Sequence, residues 1–109
     1  MQTTVQDHSG ITVLSLAGRL DAVTSPDFER DSASYSRERV VLDLSRLEYV
    51  SSAGLRIILA LAKQLKTGGG SLSVAGLDGI VKDVFEMSGF DSFLPLYPTI
   101  DAALAASAT

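Results

Sequence analysis

The run Arg39-Val40-Val41-Leu42-Asp43-Leu44 leads, through Ser45–Val50, into Ser51-Ser52-Ala53-Gly54 and then a strongly amphipathic segment reaching about Lys66. This unit constrains the fold more than any other part of the chain. The first run is β-branched and apolar with a single acid, which predicts a central parallel strand. Beyond it, Leu55, Ile58, Leu59, Ala62 and Leu65 recur at helical spacing and predict a helix packed on a sheet. Lys63 and Lys66 stand late in that helix, where the helix dipole favours cations. A tight loop over Ser45–Val50 is expected between the two elements.

The flanking segments repeat the alternation. Thr3–Asp7, the turn signal Ser9-Gly10 and Ile11–Leu16 predict a hairpin, with Gly18 ending its second strand. Thr24-Ser25-Pro26-Asp27 predicts a helix start, with Phe28 as its anchor, Tyr35 two turns on and an end near Ser36. Gly68-Gly69-Gly70 stops the long helix, and Ser71–Ala75 is a short strand. Gly79–Met87 predicts a helix with Ile80, Val81, Val84, Phe85 and Met87 as apolar contacts, closed by Ser88-Gly89. Phe93–Tyr97 reads as an edge strand, because Pro95 cannot donate to a ladder. Thr99 is placed to cap a last helix from Ile100 to about Ala106. The fold class is therefore α/β: one domain over residues 1–109, about four helices and a mixed, mostly parallel sheet of four or five strands whose first strand is an antiparallel edge.

Composition narrows function by exclusion. Thirteen acids against nine Lys and Arg give a net charge of −4, which opposes nonspecific attraction to nucleic acid or an anionic membrane. With no cysteine and one histidine, thiolate chemistry and a multi-histidine zinc site are excluded, and neither metal nor cofactor is expected. Signal, lipidation and membrane-spanning patterns are absent from the sequence, so the expected location is cytoplasmic. Apolar residues at 46% and charged residues at 20% are those of a globular chain.

Ligands and partners of an open sheet meet the carboxyl ends of its strands. Three loops should converge there: Gly18-Arg19-Leu20-Asp21, Val50-Ser51-Ser52-Ala53-Gly54 and Gly76-Leu77-Asp78. The middle loop puts two hydroxyls at the start of the best helix, where N–H groups lack partners and the dipole is positive. Either serine can be a simple helix cap worth about 1 kcal/mol. A phosphate on Ser52 would also lie in a favourable field and add a charge of roughly −1.5 to −2. Asp43 reads as a structural acid bonded to neighbouring backbone, and His8 as a solvated hairpin residue. Gly68-Gly69-Gly70 lacks the Lys-Ser/Thr of a phosphate loop. Leu94, Leu96 and Tyr97 are expected in the core, with an exposed edge as the alternative.

The segment Val41–Arg56, centred on Ser51-Ser52-Ala53-Gly54-Leu55-Arg56, resembles the signature of the STAS domain, shared by sulfate transporters and bacterial anti-sigma factor antagonists. Gly18-Arg19-Leu20-Asp21, Ser88-Gly89-Phe90 and Tyr97-Pro98-Thr99-Ile100-Asp101-Ala102-Ala103-Leu104 resemble further parts of that family. The resemblance implies a phosphorylation-controlled binding switch and no enzyme. Unmodified antagonist binds a partner that is both an anti-sigma factor and a serine kinase of the histidine-kinase-like ATPase fold; the kinase phosphorylates a serine at the helix start, and a metal-dependent serine phosphatase reverses the change. Direct nucleic-acid binding and membrane insertion are not implied. The commonest family form reads Asp-Ser-Ser-Gly-Leu, with the acceptor immediately before the glycine. Here Ala53 fills that place and carries no hydroxyl, so the acceptor expected is Ser52, with Ser51 second. The resemblance further implies partner contacts at Asp21, Ser51, Ser52, Ala53, Gly54 and Arg56. It leaves open a non-switching adaptor role, as a subunit of a transporter or a signalling assembly.

Overall fold

The computed structural model describes residues 1–35 and 37–107. Its order is β1 (Gln2–His8), β2 (Ile11–Leu20), α1 (Ser25–Ser32), β3 (Arg39–Val50), α2 (Ser52–Thr67), β4 (Ser71–Ala75), α3 (Gly79–Met87), β5 (Leu96–Tyr97) and α4 (Ile100–Ser107). The five strands form one sheet in sequential order, with β1 antiparallel to β2 and the others parallel. Strands added in one direction through right-handed crossovers put the crossover helices on one face. That face holds the main core: Leu14 and Leu16, Val40, Leu42 and Leu44, and Leu72 and Val74, under Phe28 of α1, Ile58 and Leu65 of α2 and Phe85 of α3. The opposite face is smaller: Ile11, Val13, Val41 and Ala75 pack against Ala103 of α4. Thr99 caps α4 by accepting a hydrogen bond from the Ala102 N–H at 3.1 Å. No helix among the described residues is long and apolar enough to cross a membrane.

Several expectations need correction. β2 does not end at Gly18, and Ser45–Val50 is not a loop. Two register shifts carry the β2–β3 pairing on to Leu20↔Val50. Pairing of β3 with β4 stops at Asp43↔Ala75, so the extension is a two-stranded ribbon with one side open to water. Its exposed Ser45, Arg46 and Glu48 gave the segment its loop-like polarity. On α2 the buried set includes Leu61 and leaves Leu59 and Ala62 half-buried, because the helix packs between the sheet and α1. On α3, Ile80 and Met87 point to solvent, and Val81 and Phe85 alone are buried. Finally, β5 holds two residues rather than five. Gly89 takes a left-handed φ of 75°, and Phe90–Ser92 coil into a 3-10 turn. That turn buries Leu94 and leaves Phe93 exposed. α1 ends at Ser32, and Ser36, where its end was expected, lies outside the described residues. Nearby, the Gln64 side chain of α2 donates to the Ser32 and Ala33 carbonyls and ties the end of α1 down.

Asp43 is buried and structural. Its Oδ1 accepts from the Ser45 N–H at 3.1 Å, and its Oδ2 accepts from the Ser15 hydroxyl at 3.0 Å. Replacing it with alanine removes both bonds from part-buried donors; a fully buried donor left unpaired costs about 1–3 kcal/mol, and Ser45, which is exposed, loses less. Asp43→Ala is therefore expected to lower the urea midpoint clearly, with Asp43→Asn recovering part of the loss. Equal midpoints for wild type and Asp43→Ala would exclude this role.

Candidate functional site

The ribbon of β2 and β3 delivers its two ends to the start of α2. Ser51 follows Val50 directly, and its N–H donates to the Leu20 carbonyl at 2.9 Å. This bond fixes the entry of α2 against the end of β2. Gly54 makes the approach possible: a Cβ there would stand 2.6 Å from the Leu20 carbonyl oxygen and 2.9 Å from Leu20 Cγ and Val50 Cγ2. The glycine is buried, so its part in the site is the close packing of α2 on Leu20 and Val50.

The two serines occupy different positions. Ser51 is the N-cap, with extended backbone, and its hydroxyl oxygen accepts from the Gly54 N–H at 3.3 Å. Ser52 is the first residue of the helix proper. It is exposed, and among the described residues its hydroxyl has no hydrogen-bond partner. Ala53 is half-buried, and Arg56, one turn after Ser52, is exposed. The site therefore presents a free hydroxyl at the positive end of a sixteen-residue helix that has no acid in its first turn.

Asp21 stands on the neighbouring loop, locked by short-range bonds. Its Oδ1 accepts from the Val23 and Thr24 N–H groups at 3.0 and 3.2 Å. The Thr24 hydroxyl accepts from the Asp21 N–H and donates to the Arg19 carbonyl, both at 2.9 Å. Arg19 lies 3.6 Å from Asp21 Oδ2 and 4.4 Å above the centre of the Tyr49 ring. The Thr24 N–H, followed by the Val23 N–H, the Thr24 side chain and the Arg19 guanidinium, holds the Asp21 carboxyl below its ordinary 3.8 against the opposing effect of partial burial. A depressed folded pKa stabilises the fold above the unfolded value, and the effect is lost as pH falls through the folded one. Asp21→Asn is thus expected to flatten the decline in melting temperature below about pH 4. An identical acid limb would exclude Asp21 as a contributor.

The Arg19–Tyr49 stack and the Thr24 lock went unread in the sequence. The strand register that pairs Arg19 with Tyr49 depends on the two irregularities in the ribbon, which leave no local signal. The chemistry available is recognition and modification. The single histidine, His8, pairs with Ile11 at the start of β2, whereas Ser51 follows the end of β3, so no histidine base stands at Ser52. No cluster of three His, Asp or Glu side chains among the described residues could hold a metal.

Comparison with known proteins agrees with this architecture. The STAS domain family model matches residues 2–103. BtrV of Bordetella bronchiseptica, described as an anti-sigma factor antagonist, is 39% identical over 112 aligned positions, covering 100% of this chain and 97% of its own. The crystal structure of an anti-sigma factor antagonist from Mycobacterium paratuberculosis superposes with a TM-score of 0.91 at 33% identity, covering 99% of this chain and 94% of that one. SpoIIAA, an anti-sigma factor antagonist of Bacillus, shares the fold at 18% identity in its unphosphorylated form, with a TM-score of 0.76 over 94% of this chain and 93% of its own. The chain belongs to the STAS-domain family, and at that level it is an anti-sigma factor antagonist, a partner-switching regulatory module rather than an enzyme.

Proposed function

We propose that Ser52 is the phosphorylation switch of this antagonist. In this reading the unmodified protein binds and sequesters an anti-sigma factor that is also a serine kinase, and phosphate on Ser52 ends the complex. A metal-dependent serine phosphatase restores the binding form. The observation that carries the reading is the division of labour between the serines. Ser51 Oγ is engaged with the Gly54 N–H, while Ser52 is exposed with a free hydroxyl. Modifying Ser52 therefore leaves the cap intact and changes only the surface. SpoIIAA, a protein of the same fold, has been solved in phosphorylated and unphosphorylated forms, and that supports the reading by analogy.

The partner surface in this proposal comprises Asp21, Ser51, Ser52, Ala53 and Arg56 at the two loop ends, with Gly54 setting their spacing. An added charge of roughly −1.5 to −2 inside such a contact must be desolvated and is repelled by partner acids. The test is intact mass and site mapping of protein isolated from its native cell. A fraction carrying one phosphate on Ser52 is expected. Phosphate confined to another residue would transfer the switch there, and a uniformly unmodified population across growth conditions would favour the permanent adaptor role.

A further inference from the structure

A second surface lies well away from the serines. A cleft of about 390 Å³ opens between the outer side of α2 and the segment leading into β5. Its apolar lining includes Leu59, Ala62, Leu72 and Leu94, and Phe93 stands at its side, 68% exposed. Lys63 and Lys66 complete the α2 side. Among the described residues neither ammonium has an ion-pair partner. At 1.5 Å per helical residue, Lys63 lies about 16 Å along α2 from Ser52.

The cleft also contains an open strand edge. Pairing of β4 with β5 begins only at Val74↔Leu96, where the Val74 N–H donates to the Pro95 carbonyl. In a parallel ladder alternate residues point their N–H and C=O to the same side. Leu72, two residues earlier, therefore faces the cleft, and no strand among the described residues pairs with it there. The short β5 is the cause: the 3-10 turn at Phe90–Ser92 carries the chain away before it can cover the start of β4.

We propose that this cleft binds an extended, acidic and apolar peptide segment of a partner protein. The segment continues the sheet at Leu72, inserts one apolar side chain against Leu59, Leu72 and Leu94, and sets carboxylates on Lys63 and Lys66. Three features select a peptide. The unpaired edge offers main-chain hydrogen bonds to an extended chain. The cleft is open beside Phe93, and a chain laid along it would cover that exposed ring, whereas a small apolar molecule would stay largely in water. Two unpaired cations on a chain of net charge −4 favour an acidic occupant at this place.

Panning a displayed library of short random peptides on the full chain tests the assignment. Enriched sequences are expected to carry an apolar residue flanked by Asp or Glu. The strongest, made synthetically, should bind the double variant Lys63→Glu/Lys66→Glu at least about tenfold more weakly, and Phe93→Ala similarly. All three positions are exposed, so both variants should stay folded; Phe93→Ala should melt like wild type, and the lysine variant slightly lower, because it sets acids near the negative end of α2. Amide shifts on binding should centre on Leu72 and the second half of α2. Ser52→Asp should keep full peptide affinity, which separates this site from the switch. No enrichment, peptides without acids, or equal binding to the variants overturns the proposal. So does saturable binding of decanoate at the same amides in place of peptide, or a dimer of this chain that the lysine variants abolish.

Discussion

Gly54→Ala is expected to destabilise the domain by about 2 kcal/mol or more, with a fall in melting temperature of roughly 10 °C or more for a chain of this size. Helix propensity alone points the other way, since alanine is favoured over glycine by up to about 1 kcal/mol within a helix. The sign is decided by space. The new Cβ would meet the Leu20 carbonyl oxygen at 2.6 Å and two side-chain carbons at 2.9 Å. The oxygen is backbone and already accepts from the Ser51 N–H, so it cannot withdraw without breaking that bond. Overpacking of this kind costs about 1–3 kcal/mol and occasionally more, and a backbone obstacle belongs at the upper end. A thermal melt checks the expectation. A variant as stable as wild type would show that α2 can lift from Leu20 at no cost, and the site would then lack the rigidity described above.

The second large effect is on binding. Ser52→Asp is expected to weaken the complex with the anti-sigma factor kinase by about tenfold to a hundredfold, that is about 1.4–2.7 kcal/mol. Ser52→Ala should bind within about threefold of wild type. The positive end of α2 stabilises the new charge by only about 0.3–1 kcal/mol, and it does so in the free protein too, so it does not offset the loss. What changes on docking is the water around the carboxylate. Aspartate carries less charge than phosphoserine, so the variant gives a lower bound. Titration calorimetry of the three proteins against the kinase reads both numbers. Wild-type affinity in both Ser52→Asp and Ser51→Asp would remove the switch from this helix start.

Much of the site was readable before the fold. Ser51, Ser52 and the amphipathic stripe of α2 are local features, and capping and periodicity act within a few residues. The β5 segment was misread because Phe93–Tyr97 has strand composition, yet Gly89 turns the chain and Pro95 withholds a donor. The Ser45–Val50 segment was misread for the opposite reason. Its polar residues face water along an open ribbon side, and pairing with Gly18–Leu20 overrides their loop-like character.

Order along the chain was enough to settle the alternation of strands and helices, the class of sheet and the presence of two hydroxyls at the head of α2. Each depends on neighbours at helical or strand spacing. How the start of α2 is seated against the sheet was decided by contacts across some thirty residues. The Leu20 carbonyl holds the Ser51 N–H, and the space beside Leu20 and Val50 admits only a glycine. Those contacts arise when β2 and β3 pair past Gly18, and no local pattern encodes where two distant strands stop pairing.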